Sequence, residues 1–478
     1  MSTTAAPYVP LYGDYYPREL EGLLKKSREV YKNIPERLDY PEKTVPKGWP
    51  SSLPPSRMIW DPETFPTDSS HIIEITGPEL LEINSALSVI KDLSIPHSEI
   101  NKSTFSLPTL GPRLDAACQS VHFGLGICFV NGIPVEKYTA EENVCIMLGI
   151  SSYFGETRGR QRDDGARLIH IFHALTRGFP ANLSPIFNNH AQVFHNDMTT
   201  DILCMYCLSP ASTSGGSNSY ASLHKIYNYL AEHNPDVIHT LAAPDWPFDT
   251  YGYNPPFHTR PLLFYTPPEG EEGEEQEDED EKGEDSGSED GERTPRASIL
   301  NLSPSSSTTD LPSSSSSSSS SPEPTPKIGR ILGSLSPRQL SGSKVHPRPS
   351  GIPALTPRQQ SALTLLESLC QKFSITHTLS RGSFVFLNNL SVLHNRGPYF
   401  DDPEIPVEKH RDLIRMFLRN EELAWTTPKE LWLDWGRVFG EFDGVEERWV
   451  VDKEKDYRDQ QRGMTNYTAG GEGGDDAY

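Results

Sequence analysis

The pattern of apolar and polar positions divides the chain into helical stretches, strands and one long segment with neither. From Thr76, the run Pro78-Glu79-Leu80-Leu81-Glu82-Ile83-Asn84-Ser85-Ala86-Leu87 repeats its apolar residues at helical spacing. A second helix is predicted over Leu110 to Ser120. Gly124 to Gly132 reads as a buried strand closed by Asn131-Gly132, and Ala140 to Gly149 as another helix. Strand character begins near Val193, with a continuous apolar run from Ile202 to Leu208. Helices follow over Leu223 to Ala231 and Pro235 to Leu241, then a short strand over Pro261 to Tyr265. Past the featureless segment, Thr356-Pro357 opens an N-capped helix with proline at its first position. Phe384 to Leu387 and Leu413 to Leu418 are strands.

Composition explains the gap. The apolar fraction of the 478 residues is 35%, low for a globular chain, and the deficit is local. Between Glu269 and Arg293 fifteen acidic residues face only Lys282 and Arg293, which accounts for more than half of the net charge of -23. An unbroken serine tract, Ser313 to Ser321, follows. Such a segment buries too little apolar area to offset its ordering entropy, so disorder is expected over 266–327. Both flanks look like core, which predicts one domain interrupted by a surface loop, since lengthening an already long loop costs little. The expected organisation is an extended Pro- and aromatic-rich arm over 1–70 and a first half of the core over 71–265. After the insert come a second half over 328–430 and a C-terminal extension over 431–478.

Net acidity gives no reason to expect nucleic-acid binding. Six cysteines do not suggest a disulfide framework, and Cys204 and Cys207 sit in an apolar strand as buried thiols. No apolar run reaches membrane-spanning length, and no signal core opens the chain, so a cytoplasmic protein is expected.

The candidate chemistry is concentrated in the strands. In Phe194-His195-Asn196-Asp197 the histidine and aspartate are two apart, so on a strand both point to one face and can bind one metal. A second histidine, His394, ends the apolar segment Asn388-Asn389-Leu390-Ser391-Val392-Leu393-His394. Two imidazoles and a carboxylate form the facial triad of non-haem Fe(II) oxygenases, with positions left for a 2-oxo acid and dioxygen. Arg411 and Arg415 follow at a spacing that puts both on one face of a strand, as paired hydrogen-bond donors for carboxylates. His170 and His173 read as core histidines ahead of pocket liners. Arg158, Arg160 and Arg162 read as an exposed basic turn, with contact to an anionic substrate the alternative.

These stretches occur in an order that resembles the TauD/TfdA dioxygenase family, in particular its fungal clavaminate-synthase-like branch. Besides the two histidine motifs they include Leu208-Ser209-Pro210-Ala211, Gly215-Gly216-Ser217, Pro244-Asp245-Trp246-Pro247-Phe248-Asp249 and the arginine pair. The resemblance implies an α+β fold: a double-stranded β-helix, or jelly roll, flanked by helices. It implies Fe(II) on His195, Asp197 and His394, and 2-oxoglutarate as co-substrate. Arg411 would hold the distal carboxylate of the oxo acid, and Arg415 would lie near its other end and the substrate. Where the family often has a threonine after the paired glycines to help bind that distal carboxylate, this chain has Asn218, whose amide can also donate a hydrogen bond to it. The implied reaction oxidises a small-molecule substrate, with anionic character a candidate, and releases succinate and CO2. Asp197 argues against halogenation, which needs that carboxylate removed. Two rival readings are a catalytically silent jelly roll acting as an interaction protein and a metal-dependent hydrolase on a similar fold. Oligomeric state is left open.

Overall fold

A computed structural model describes residues 42–179, 185–197, 200–250, 255–268, 329–342, 348–440 and 444–459. The chain divides into a body, residues 1–266 with 329–478, and a separate unit, 267–328. The expected disordered insert lies almost wholly outside the described residues, as does the arm up to residue 41.

Two sheets carry the body. Its strands, in chain order, begin with β1 (Ile72–Glu74), β2 (Ile127–Asn131), β3 (Thr157–Gly159), β4 (Leu168–Phe172), β5 (Gln192–His195) and β6 (Ile202–Ser209). Then come β7 (Ser214–Gly215), β8 (Asn218–Ser222), β9 (Trp246–Asp249), β10 (Phe257–Arg260), β11 (Leu263–Thr266) and β12 (Arg330–Gly333). The last are β13 (Ile375–His377), β14 (Phe384–Asn388), β15 (Val392–Arg396), β16 (Tyr399–Phe400) and β17 (Asp412–Arg419). The larger sheet runs β1-β2-β14-β6-β17-β3, with β4 also paired to β17. The smaller runs β13-β8-β15-β5. All these pairs are antiparallel except β1 with β2.

Alternation along each strand assigns the faces. Leu203, Met205, Val385, Leu387, Leu413 and Phe417 of the large sheet cluster with Tyr220 and Val392 of the small one, so these residues fill the space between the sheets. Their neighbours Cys204, Tyr206, Phe384, Phe386, Ile414 and Met416 point outward, under the helices Gly77–Asp92, Leu110–Phe123 and Ala140–Ser152. Behind the small sheet, Phe194, Ala221 and Leu393 pack on Leu223–His233, Pro235–Ala242 and Pro357–Phe373. The result is the jelly roll with flanking helices that the resemblance implied.

Helix starts follow local chemistry. Thr76 with Glu79, Thr139 with Glu142, and Thr356 with Gln359 each form a capping box in which side chains satisfy the orphan N–H groups of the first turn. Residues 42–71 run without helix or strand and bury Leu53, Met58 and Trp60; the Trp60 indole donates to Leu125 O at 2.9 Å. Cys204 and Cys207 are buried and unpaired, as are the other four cysteines. Among the described residues no helix is long and apolar enough to cross a membrane.

The expected basic turn is not exposed. Arg158 and Arg160 are only 8% and 7% exposed. Arg158 donates to the carbonyls of Ile100 and Leu148, and Arg160 to that of Arg437. Arg162 pairs with Asp164 and Asp456. The C-terminal chain covers this edge of the sheet: Trp449 lies against the Arg158 guanidinium, and Arg160 and Arg162 fasten the chain through Arg437 O and Asp456.

Candidate metal centre and carboxylate cradle

His195 and His394 are direct cross-strand partners on β5 and β15. Tyr220 on β8 is the next partner of His394 in the same row. Cross-strand partners share a face, so both imidazoles and the phenol point between the sheets. The His195 and His394 rings lie 4.4 Å apart, centre to centre. Asp197 joins them: its Oδ1 is 3.9 Å from His195 Nε2, and its Oδ2 is 3.9 Å from His394 Nε2. The three donor atoms all lie within 4.8 Å of one another.

Strand pleat alone does not bring Asp197 there, because β5 ends at His195. Two asparagines hold the continuation. Asn389 accepts from Asp197 N at 3.0 Å and donates through Nδ2 to Asp197 O at 2.9 Å. Asn196 exchanges hydrogen bonds with the Leu335 backbone, its own N–H donating to Leu335 O at 2.9 Å and its Oδ1 accepting from Leu335 N at 2.9 Å. Asn196 also donates to Asn389 O. These fixed points did not stand out in the sequence; the only signal was the doubled asparagine six residues before His394.

The His195 Nδ1 atom sits 2.7 Å from Val193 O. A carbonyl can only accept, so Nδ1 carries the proton and Nε2 offers its lone pair to a metal. Burial drives the imidazoles toward the neutral, ligating form: His195 is shifted down, and His394 falls to about 3 through burial and the neighbouring His195. Burial pushes the Asp197 carboxyl the other way, yet the Arg415 guanidinium leads the groups that outweigh it and keep the carboxyl below its ordinary range. Arg415 Nη1 donates to Asp197 Oδ1 at 2.8 Å. Gln161 fixes that arginine, accepting from its Nε at 2.8 Å and donating to Arg415 O at 2.8 Å and Arg167 O at 3.0 Å. Gln161 is therefore a second residue the sequence did not single out.

Arg411 lies one residue before β17, in step with Leu413 and Arg415 on the inward face, and is 3% exposed. Its backbone N–H donates to the Asp401 carboxylate at 3.1 and 3.2 Å. Its guanidinium lies over the Tyr399 ring, 4.8 Å from the centre, and packs against Gly216, where an added Cβ would sit 3.2 Å from Nε. Gly216 has φ of +74°, so both its backbone and the arginine favour glycine there. Arg411 Nη1 is buried and has no hydrogen-bond partner among the described residues. An orphaned cationic donor of this kind is what a buried carboxylate would satisfy. Asn218 Nδ2 donates to Asn395 O at 3.0 Å, and its Oδ1 is buried without a partner.

His170 faces the outside of the large sheet. It sits 2.9 Å from Asp412 Oδ1 and 3.2 Å from Val450 O, and Lys453 takes the other Asp412 oxygen. Burial pushes the Asp412 carboxyl up, but His170 and Lys453 hold it far below the usual range. This pairing anchors the C-terminal chain beside Arg411. His173 is buried, 6.3 Å from the Tyr399 ring centre, and its Nδ1 has no partner.

Two imidazoles and one carboxylate inside a jelly roll, with a buried arginine on the same inward face, make a set of side chains that could hold one metal ion. Among the described residues one other trio, His97, Glu141 and Cys145, could hold a metal, but its Glu141 is exposed. The family model described as taurine catabolism dioxygenase TauD, TfdA family matches residues 91–290 and 333–417, and the chain belongs to that family. It is an Fe(II)- and 2-oxoglutarate-dependent dioxygenase, as the resemblance implied. The chain is 27% identical over 399 residues to the taurine hydroxylase-like protein SAT17 of Stachybotrys chartarum, covering 82% of this chain and 86% of the relative. It is 25% identical over 201 residues to FR-33289 synthase of Streptomyces rubellomurinus, covering 42% and 58%. Among solved structures, the crystal structure of asparagine oxygenase aligns over 73% of this chain and 93% of that one, at a TM-score of 0.46 and 11% identity.

Proposed function

We propose that His195, Asp197 and His394 bind Fe(II), that Arg411 seats the distal carboxylate of 2-oxoglutarate, and that the enzyme hydroxylates a C–H bond of a small molecule. The observation that carries this reading is the buried, unpartnered Arg411 Nη1 on the inward face that also holds the triad. When bound, iron and the oxo acid supply the oxidation: dioxygen and 2-oxoglutarate give succinate and CO2, and one oxygen atom ends in the substrate hydroxyl. The chain's own residues do the rest. Neutral His195 and His394 present Nε2, and Asp197 is kept ionised and aimed by Arg415. Arg415, beside the centre, is the group positioned to meet an anionic part of the substrate. Asn218 lines the same inward face as Tyr220, two residues away along β8. The intact triad disfavours a silent interaction protein.

The named relative is a taurine hydroxylase-like protein, so small sulfonates head the substrate panel, with other small acids and amines after them. A cytoplasmic location goes with this reading: all six cysteines are unpaired, as a reducing compartment keeps them, and cell fractionation tests it.

Titration of 2-oxoglutarate into the anaerobic Fe(II) protein, read by its visible charge-transfer band, tests the site. Arg411→Ala is expected to weaken the oxo acid about thirty- to a thousandfold, equivalent to about 2–4 kcal/mol for a truncated buried charge pair, with iron affinity unchanged. Lys at this position recovers part, keeping the charge without the fork. An unchanged curve for Arg411→Ala would move the anchor elsewhere.

A further inference from the structure

The inward face beside the triad holds a second unsatisfied donor. Tyr220 is fully buried between the sheets, next in the row after His394, and its hydroxyl has no hydrogen-bond partner among the described residues. Its ring is held edge-on by Phe129, with ring centres 5.8 Å apart. An unpaired buried hydroxyl costs about 1–3 kcal/mol, and a phenylalanine would fill the same space without that cost. Burial pushes the phenol well above its ordinary range, so it stays a donor; the Arg411 charge, close enough to be felt, acts the other way.

The family resemblance expects a hydroxyl donor at position 218, where this chain has an asparagine. Asn218 commits one of its two amide N–H groups to Asn395 O, and its atom without a partner among the described residues is the acceptor Oδ1. A carboxylate is acceptor-only, so that oxygen cannot bind one. Turning the amide over would face two oxygens at Asn395. Two residues further along β8, and therefore on the same face, Tyr220 offers the hydroxyl that position 218 lacks.

We infer that Tyr220 Oη is the second donor to the distal carboxylate of 2-oxoglutarate, completing with Arg411 the cradle for that group. This rests on the co-substrate reading above. It shifts the hydroxyl from a short side chain at position 218 to a long one at position 220. The added reach of the phenol compensates for its place one step nearer the metal ligands along the strand.

The test compares wild type with Tyr220→Phe, which keeps the ring and its packing on Phe129. Each anaerobic Fe(II) protein is titrated with 2-oxoglutarate and with 2-oxovalerate, which has the same chelating end and no distal carboxylate. Tyr220→Phe is expected to weaken 2-oxoglutarate about ten- to a hundredfold, the range for a hydrogen bond to a charged group. Its binding of 2-oxovalerate and its iron affinity should match wild type, and its Tm should be no lower, since the unpaired hydroxyl is gone. Equal weakening of both oxo acids would show that Tyr220 shapes the pocket without touching the carboxylate, and would overturn the inference. A normal wild-type titration with an unchanged Tyr220→Phe curve sinks this inference alone. Wild-type protein that gives no band with 2-oxoglutarate sinks the co-substrate reading and this inference together.

Discussion

Asp197 shows how much of the metal centre depends on side chains that touch no metal. It lies past the end of its strand, and Asn389 is bonded to both its N–H and its C=O. Removing the Asn389 amide frees two backbone groups and lets the carboxylate wander, while His195 and His394 stay on their strands. Outer partners of this kind typically carry ten- to a hundredfold in metal affinity. Asn389→Ala is therefore expected to weaken Fe(II) by about that factor while the 2-oxovalerate and 2-oxoglutarate complexes of the iron-saturated protein keep their relative affinities. Competition with a chelator of known strength measures it; wild-type iron affinity would show that the loop is held without Asn389. The triad residues themselves were legible in the sequence. The clamp was not, because Asn389 and Asp197 are 192 positions apart and no periodic pattern links them.

At the scale of elements, β5 is an edge strand that carries a metal ligand, and an edge offers unpaired backbone groups. The helix Pro357–Phe373 covers it. Glu367 on that helix accepts from Phe194 N at 3.0 Å and from Gln371 Nε2 at 3.0 Å. Burial raises the Glu367 carboxyl to about 7, against an ordinary value of 4.5, with both hydrogen bonds opposing. The sign follows from linkage: a carboxyl whose folded value is raised contributes stability fully present below about pH 4.5 and lost as pH rises through about 7. Glu367→Gln keeps an acceptor for Phe194 N and removes the titration. Between pH 5 and pH 8 the variant should gain about 1–3 kcal/mol of stability relative to wild type. Denaturant unfolding at the two pH values measures this, and parallel pH profiles for the two proteins would rule it out. The helix itself was expected from Thr356-Pro357 and its spacing. Its task of sealing the edge beside His195 needs the packing of one element on another.

For the whole molecule, the pairing of β11 with β12 decides what the insert can be. Thr266 lies opposite Arg330 in the antiparallel register, so the body's two flanks are hydrogen-bonded neighbours. Neighbouring strands are about 5 Å apart, a gap that a turn of four or five residues closes. Replacing 267–329 by such a Gly/Ser turn should leave Tm within a few degrees and oxo-acid turnover near wild type. Loss of iron binding or folding in this shortened chain would show that the segment supports the body.

The sequence by itself determined the helices with their capping boxes, the strand periodicity, the ordered motifs and the three candidate metal-binding side chains. Each of these is written within a few residues of chain, where spacing alone places side chains on a face. Only the tertiary structure decided that His394 stands opposite His195 and that Asn389 holds Asp197 beyond its strand. It also buried Arg158 and Arg160 under the C-terminal chain, and left Arg411 and Tyr220 with donors that nothing among the described residues satisfies. Those outcomes depend on strand register and on contacts between segments hundreds of residues apart. Hydrophobic burial sets them globally, and local pattern does not encode them.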